Sequence, residues 1–502
     1  MLKTQIPDNA TIAGINFLHV GQNIRIVAGL PFRVALVYAS LFAVAFWFYS
    51  VLWTSAPVMT PDSTSYLRAA QDISDYHIDQ LQERAPGYPV LLVLTGSSRS
   101  PTRGLFFVSL LLHFLAIWLL ASVLYRAGLK EIMLTVFCLL LLLPPYVEPA
   151  AYVMSENLTE VMLVSAFVGL VFWWLTKRTI SILLSALAIG CAALTRPTYQ
   201  VLALAMAGYL FTGGFLFHWI RVKWRDVVRG SLILILGSVV TVGGCVLFNY
   251  QNFGYLGVTP KFGLTLNTKT WRFLERLPAE DAAIRDVLIK ARNAKLLEEG
   301  GLHEGSMSIW DAVPELTNMT GLQFSQLSDY MLHKNLFLIK RAPLQYLLDV
   351  VWAFGLYWFP SSGELANLNS QPVQLLWAVI HFCLIGAFAF NLILLVGAAT
   401  YIKTCKTFRT LTNSVPISAF GLMQLQTFMY GLAGLIVIYT AAISCLIEVG
   451  VPRYRVPTDG LIVFMLFLGM HLWRRLVNLS KAVVCQAKDV SCEPGQRLGS
   501  FS

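Results

Sequence analysis

Four arginines stand beside prolines at the edges of long apolar runs. Arg84 lies in E-R-A-P-G-Y-P, Arg196 in L-T-R-P-T-Y, and Arg453 and Arg455 in V-P-R-Y-R-V-P. Proline fixes its own φ and restricts the residue before it, so each stretch reads as the boundary of a helix. A guanidinium stays charged and grips phosphate oxygens in pairs, which suits an anionic headgroup. A single arginine at such an edge can equally snorkel toward water. Three separate stretches of this kind argue for a shared anion. Arg453 and Arg455 are two residues apart and share a side if that stretch is extended.

Carboxylates accompany them. Asp62, in M-T-P-D-S-T-S-Y-L, follows Pro61, and Tyr66 falls one helical turn beyond. Glu156 lies in M-S-E-N-L-T-E and Glu148 ends an apolar run. Asp62 and Ser155 also read as helix N-caps, because Pro-Asp-Ser-Thr before a helical run is ordinary start chemistry. A carboxylate beside arginines has a second use. It can take a proton from a hydroxyl as general base while the arginines hold a departing phosphate. Sugar transfer from a polyprenyl-phosphate donor to an acceptor hydroxyl has both requirements.

Other catalytic templates are missing. The sequence has no H-E-x-x-H, G-x-S-x-G or G-x-x-x-x-G-K-[ST]. His113, His218 and His381 fall in or at apolar runs and form no close ligand pair. Asp75, His77 and Asp79, in D-Y-H-I-D, are ligand-type residues, yet a solvated acidic loop is the simpler reading. No metal site is assigned, and a divalent ion stays open as a cofactor. The eight cysteines show no C-x-x-C spacing.

The elements that must position these residues are membrane spans. Apolar residues make up 56% of 502 positions and charged ones 13%, half the share a soluble domain carries. Runs of about 20 apolar residues recur, enough to cross a ~30 Å hydrocarbon core. They predict an all-α polytopic protein with about ten spans: 33–54, 104–125, 131–147, 158–176, 179–195, 198–220, 230–250, 373–400, 425–447 and 459–473. The net charge of +10 does not indicate nucleic acid, since the basic residues flank spans in alternate loops. Arg25 and Arg33, Arg126 and Lys130, Lys177 and Arg178, Arg221 to Arg229, Lys403 to Arg409, and Arg474 to Lys481 then face the cytoplasm, as do both termini. The first apolar run reads as a retained span rather than a cleaved signal.

This register divides the chain into a cytoplasmic segment 1–32, a seven-span catalytic module 33–250, an extracytoplasmic loop 251–372, three spans within 373–473 and a cytoplasmic tail 474–502. The module carries a first outer loop, 55–103. In the second loop, 278–300 reads as an amphipathic helix. Residues 343–360 are apolar and proline-bounded. An interfacial helix there preserves the register; an eleventh span would break it. Asp62, Arg84, Glu156, Arg196, Arg453 and Arg455 all fall on the face opposite the cytoplasm.

In order along the chain, P-D-S-T-S-Y-L-R-A-A-Q, R-A-P-G-Y-P, S-E-N-L-T-E with A-A-L-T-R-P-T, and R-Y-R-V-P resemble signatures of polytopic C-type glycosyltransferases. The resemblance is to the branch of protein O-mannosyltransferases and bacterial lipid A aminoarabinose transferases. It covers about the first 200 residues and a short C-terminal segment; residues 251–450 lie outside it. It implies inverting transfer on the periplasmic or lumenal face with Asp62 as the catalytic base. Arg84, Arg196, Arg453 and Arg455 would meet the donor phosphate, and Tyr66, Tyr88, Glu156 and Tyr454 would line the cavity. The family commonly places a second acidic residue after this Asp; Ser63 stands here instead, which leaves a metal-assisted version in doubt.

The expected partners are a polyprenyl-phosphate sugar, an acceptor that is lipid, glycan or protein, and membrane lipids, with no nucleic acid. A bacterial inner membrane is favoured over endoplasmic reticulum. Two other functions fit the composition: a secondary transporter or lipid flippase, and a noncatalytic subunit of a glycosylation or envelope complex. Transporters place ionisable groups near the bilayer midplane on repeated, broken helices, whereas these charges sit at helix edges without an internal repeat.

Overall fold

The computed structural model of the protein describes residues 31–77, 83–213, 223–299, 302–360, 371–404 and 417–491. Residues 1–30, the end of the tail (492–502), Asp79, Arg25, His218, Arg221, Cys405, Lys406, Arg409 and Cys492 lie outside the described part, as do 361–370 of the second loop. Among the described residues the chain is all-helical, with one parallel bridge between Val58 and Tyr152.

The bundle consists of α1 (Phe32–Leu52), α4 (Arg103–Arg126), α5 (Glu131–Leu141), α6 (Glu156–Thr176), α7 (Thr179–Thr195), α8 (Leu202–Phe211) and α9 (Trp224–Phe253). It is completed by α15 (Gln371–Thr404), α16 (Ile417–Ile447) and α17 (Val456–Ser491). The short α2 (Ser63–Ser74) and α3 (Gly87–Leu94) connect α1 to α4. Seven described helices are long and apolar enough to cross a membrane, or eight with one bent pair.

The ten expected spans need three adjustments. The third, 131–147, is not one straight helix: α5 ends at Leu141, and Pro144–Ala151 leaves it at 65°. Pro144 and Pro145 lack the amide hydrogens that would continue α5. The fifth, α7, has 17 residues, slightly short of a full crossing. The sixth begins with a 3₁₀ turn at Pro197–Tyr199, and α8 covers only ten residues before 214–222, which are outside the described part.

Apolar burial holds the bundle together around α4, α6, α7, α16 and α17, where Phe167 meets Phe464 edge-on at 5.1 Å and Phe137 meets Phe467 at 5.6 Å. Glycines allow close helix contact. A Cβ on Gly190 would lie 2.4 Å from Thr241 of α9, and one on Gly87 would lie 2.6 Å from Thr195 of α7. The second contact seats R-A-P-G-Y-P directly against the end of α7, one residue before Arg196.

The second loop has its own core. The helices α10 (Phe262–Thr270), α11 (Ala282–Glu299), α12 (Ile309–Thr320) and α13 (Phe324–Arg341) bury Leu264, Phe273, Leu288, Ile309, Leu327 and Met331 together. The expected amphipathic helix begins four residues later than its proline, after a 3₁₀ turn at Ala279–Asp281. Buried Asn335 ties α13 to α10: its amide donates to the Gly263 carbonyl at 2.7 Å, and its Oδ1 accepts from Thr270 at 2.6 Å. A Cβ on Gly263 would lie 1.7 Å from the Ser328 carbonyl oxygen. Gly263→Ala is therefore expected to lower the melting temperature of the purified protein through overpacking of about 1–3 kcal/mol or more. An unchanged melting temperature would mean α10 and α13 are not held this closely.

Helix α14 (Pro343–Tyr357) covers residues 343–357 of the ambiguous 343–360 stretch. Its 15 residues reach roughly 22 Å, short of a hydrocarbon core. Leu344, Leu347, Leu348, Val351 and Trp352 are exposed along it, while Ala353 and Tyr357 pack on Ala441 and Cys445 of α16.

Candidate active site

Asp62 precedes α2 but does not cap it. Its backbone is helical, and its side chain makes no capping bond. Ser63 takes over the local turn instead, accepting from the Thr60 amide at 2.7 Å and donating to the Val153 carbonyl at 3.0 Å. The Asp62 carboxylate is thereby left for other partners. One oxygen meets the Arg84 guanidinium at 2.6 Å, and the other is hydrogen-bonded by Arg453. The capping alternative is thus corrected by geometry, and Ser155 likewise makes no side-chain cap for α6.

Arg84 is held from three sides. It bonds Asp62, donates to the Ser65 hydroxyl at 2.8 Å, and stacks over the Tyr66 ring at 4.3 Å. Tyr66 packs edge-on against fully buried Tyr88 at 5.0 Å, and its hydroxyl contacts Ser155 at 3.4 Å. The cluster therefore joins the chain before α2, the segment before α3 and the start of α6.

Beside it, Arg196 at the end of α7 donates to Glu156 in the first turn of α6 at 3.2 Å. The Tyr454 ring is close to both cations, with Arg196 5.2 Å and Arg453 5.5 Å from its centre. Eight of the nine expected site residues thus fall in one cluster: Asp62, Tyr66, Arg84, Tyr88, Glu156, Arg196, Arg453 and Tyr454.

Arg455 departs from expectation. Pro452–Tyr454 is a 3₁₀ turn and Arg455 is helical, not extended. At about three residues per turn, side chains two apart point away from each other. Arg455 is 1% exposed and holds Asp459 at 2.7 Å and the carbonyls of Tyr357 and Phe359 at 2.7 and 2.8 Å. These three bonds, from Nε and Nη1, secure the end of α14 to the start of α17, so a donor phosphate is not its partner here.

Two lysines were not found from the sequence, because 251–450 carries no motif. Lys261, before α10, has its ammonium 5.1 Å from the Trp310 ring centre. Burial pushes it down to about 7; Arg84 pushes the same way, while Glu83, Asp62 and Glu448 oppose. Lys269 is 2% exposed, and burial lowers it to about 8 against the pull of Cys445, Asp349 and Glu448. Neither forms an ion pair among the described residues.

The electrostatics follow from the clamp. Burial alone would raise Asp62, but Arg453 and Arg84 outweigh it and hold the carboxyl well below the usual range. Asp62 is therefore ionised and, while clamped, a weak base. Three buried polar atoms of the cluster have no hydrogen-bond partner among the described residues: Arg453 Nε, Glu156 Oε2 and the Tyr88 hydroxyl. Arg453 Nε and Glu156 Oε2 are thus a donor and an acceptor left for a bound molecule. Among the described residues, no group of three or more His, Cys, Asp or Glu gathers to hold a metal.

No family model matches the sequence, and no curated protein matches it. Among solved structures, the fold is similar to an archaeal oligosaccharyltransferase, AglB from Archaeoglobus fulgidus, solved with an inhibitory peptide and a dolichol-phosphate. That similarity has a TM-score of 0.49 at 13% identity and covers 93% of this chain. The chain spans 53% of that protein's length. An overlap of this depth carries no conclusion about activity.

Proposed function

We propose that this chain is an inverting membrane glycosyltransferase that takes its sugar from a polyprenyl-phosphate donor. The supporting observation is the carboxylate of Asp62 clamped between Arg84 and Arg453, which come from positions 22 and 391 residues away. General-base chemistry and phosphate binding are thereby combined in one hydrogen-bonded group.

The donor is a phosphodiester, and its phosphate oxygens compete with Asp62 for the two guanidiniums. As Arg84 and Arg453 turn to the phosphate, the Asp62 carboxylate loses the charges that hold its pKa down. It becomes more basic at the moment a base is needed. The acceptor hydroxyl gives its proton to Asp62, and its oxygen bonds to the anomeric carbon. The bond from that carbon to the phosphate oxygen breaks, and polyprenyl monophosphate leaves. The added negative charge falls on an oxygen that Arg84, Arg196 and Arg453 can stabilise. Tyr454 keeps Arg196 and Arg453 facing one volume, and Glu156 orients Arg196. Arg455 acts at a distance by fixing the turn that carries Arg453.

Purified protein in nanodiscs, given a panel of polyprenyl-phosphate sugars and a membrane extract as acceptor, tests the reading. Release of polyprenyl monophosphate that depends on both protein and acceptor is expected. A lipid-linked sugar that crosses the bilayer intact, without cleavage, would instead mark a carrier.

Lys261 adds a pH signature. With its pKa pushed down to about 7 by burial, Lys261 gives up its proton in the neutral range, and a bound phosphate would favour the charged form. Donor binding is therefore expected to take up a proton above pH 7, weakening by up to about tenfold per pH unit. Lys261→Gln should flatten this dependence between pH 7 and 9. An unchanged slope in the variant would remove Lys261 from the donor site.

A further inference from the structure

The proline pair that bends the third span leaves a backbone problem inside the membrane. In a straight helix the Leu141 carbonyl would accept from the amide of residue 145, but Pro145 has no hydrogen there. The Leu142 carbonyl is also free, because the Tyr146 amide turns to Leu143 instead. A buried carbonyl in hydrocarbon must find a donor. Two other helices supply one each. His113 Nε2 of α4 lies 3.1 Å from Leu141 O, and the Tyr49 hydroxyl of α1 donates to Leu142 O at 2.5 Å.

His113 can do this only in one form. A carbonyl accepts and does not donate, so Nε2 must carry the hydrogen. Its other nitrogen, Nδ1, lies 2.7 Å from Glu160 Oε2 of α6, and one hydrogen is shared between them. Glu160 thereby fixes which ring nitrogen faces Leu141. Both side chains are nearly fully buried, at 3% and 5% exposure. Glu160 is also one turn below Glu156, and its Oε1 faces Gly460 of α17, where a Cβ would lie 3.2 Å away.

The bend directs the chain toward the site. After it, residues 151–155 form a strap against the segment that carries Asp62. The Val58 amide bonds Ala151 O at 2.7 Å, and the Val153 amide bonds Val58 O at 3.0 Å. Ser63 donates to Val153 O, and Tyr66 contacts Ser155. From these contacts we infer that His113 and Glu160 are positioning residues for Asp62. Deep in the bundle, they hold the proline break whose far end fixes the Asp62 turn. The inference rests on the proposed transferase reading for its effect on rate, though not for its effect on structure.

Hydrogen exchange and transfer kinetics on the full chain in nanodiscs test it together. In His113→Leu and Glu160→Leu, peptides covering 56–66 and 144–155 should exchange at least tenfold faster, while peptides of the second-loop core, 309–341, keep wild-type protection. Transfer kcat should fall tenfold or more with donor affinity within threefold. Glu160→Gln can donate its amide hydrogen to Nδ1 and should restore both readouts to within threefold. If the leucine variants fail to insert, Tyr49→Phe removes one carbonyl donor without changing volume and should give a smaller acceleration in the same peptides. Unchanged exchange there would overturn the inference. Faster exchange with unchanged kcat would overturn the positioning of Asp62. A wild type that transfers no sugar defeats the transferase reading, and the exchange data still decide whether the pair holds the strap.

Discussion

Asp62→Asn is expected to reduce sugar transfer by about 10²–10⁴-fold, the range of a lost general base, while the donor binds as well as before or more tightly. Asparagine keeps the shape of the side chain but cannot take the acceptor's proton. It also releases Arg84 and Arg453 from their counter-charge, leaving both guanidiniums for the phosphate. Kinetics and equilibrium binding of a labelled donor check the two halves separately. The same change bears on stability. A carboxyl held below its ordinary range stabilises the fold above that range, and the contribution is lost as acid protonates it. The melting-temperature deficit of the variant should therefore shrink as pH falls. A variant that transfers sugar like wild type would return Asp62 to a structural role.

Arg453→Gln should act on both partners of the clamp. Donor affinity is expected to fall by roughly 10–100-fold, as for a lost charge-assisted contact of about 1.5–3 kcal/mol. The Asp62 carboxyl should also rise toward or above its ordinary value of about 3.9, since burial then meets only Arg84. In wild type, kcat/KM is expected to show no acid limb from Asp62 down to about pH 5. In the variant an acid limb should approach the assay range. Arg453→Lys restores charge without the planar fork and should recover only part of the affinity. If affinity drops without any change in the pH profile, Arg453 binds phosphate but does not control Asp62.

How much of this was legible in the sequence depends on what each residue signals locally. Apolar runs and flanking charges placed the helices well, because span length and composition are strong constraints in lipid. The convergence of Asp62, Arg84, Arg196, Glu156 and Arg453 was foreseen only as a shared side, and the structure brings these five into one cluster. Arg455 was misplaced because two residues in a row of P-R-Y-R-V-P look alike until the turn is known. Its extended reading ignored that Pro452 can open a 3₁₀ turn. The bend after Leu141 was in plain view as Pro144–Pro145, but a hydropathy window averages over it. Lys261 and Lys269 had no local signal, since their burial comes from α13, α14 and α16 packing over α10 from far along the chain. The same holds for Asn335, whose value lies in a close approach that only Gly263 permits.

Donor phosphate is expected to open the Asp62 clamp, and a structure of the wild-type protein with a bound polyprenyl-phosphate sugar measures this directly. Arg84 and Arg453 are expected on the phosphate oxygens, with at least one Asp62 oxygen free and facing the anomeric carbon. A donor seated elsewhere, with Asp62 still bridged to both arginines, would contradict it.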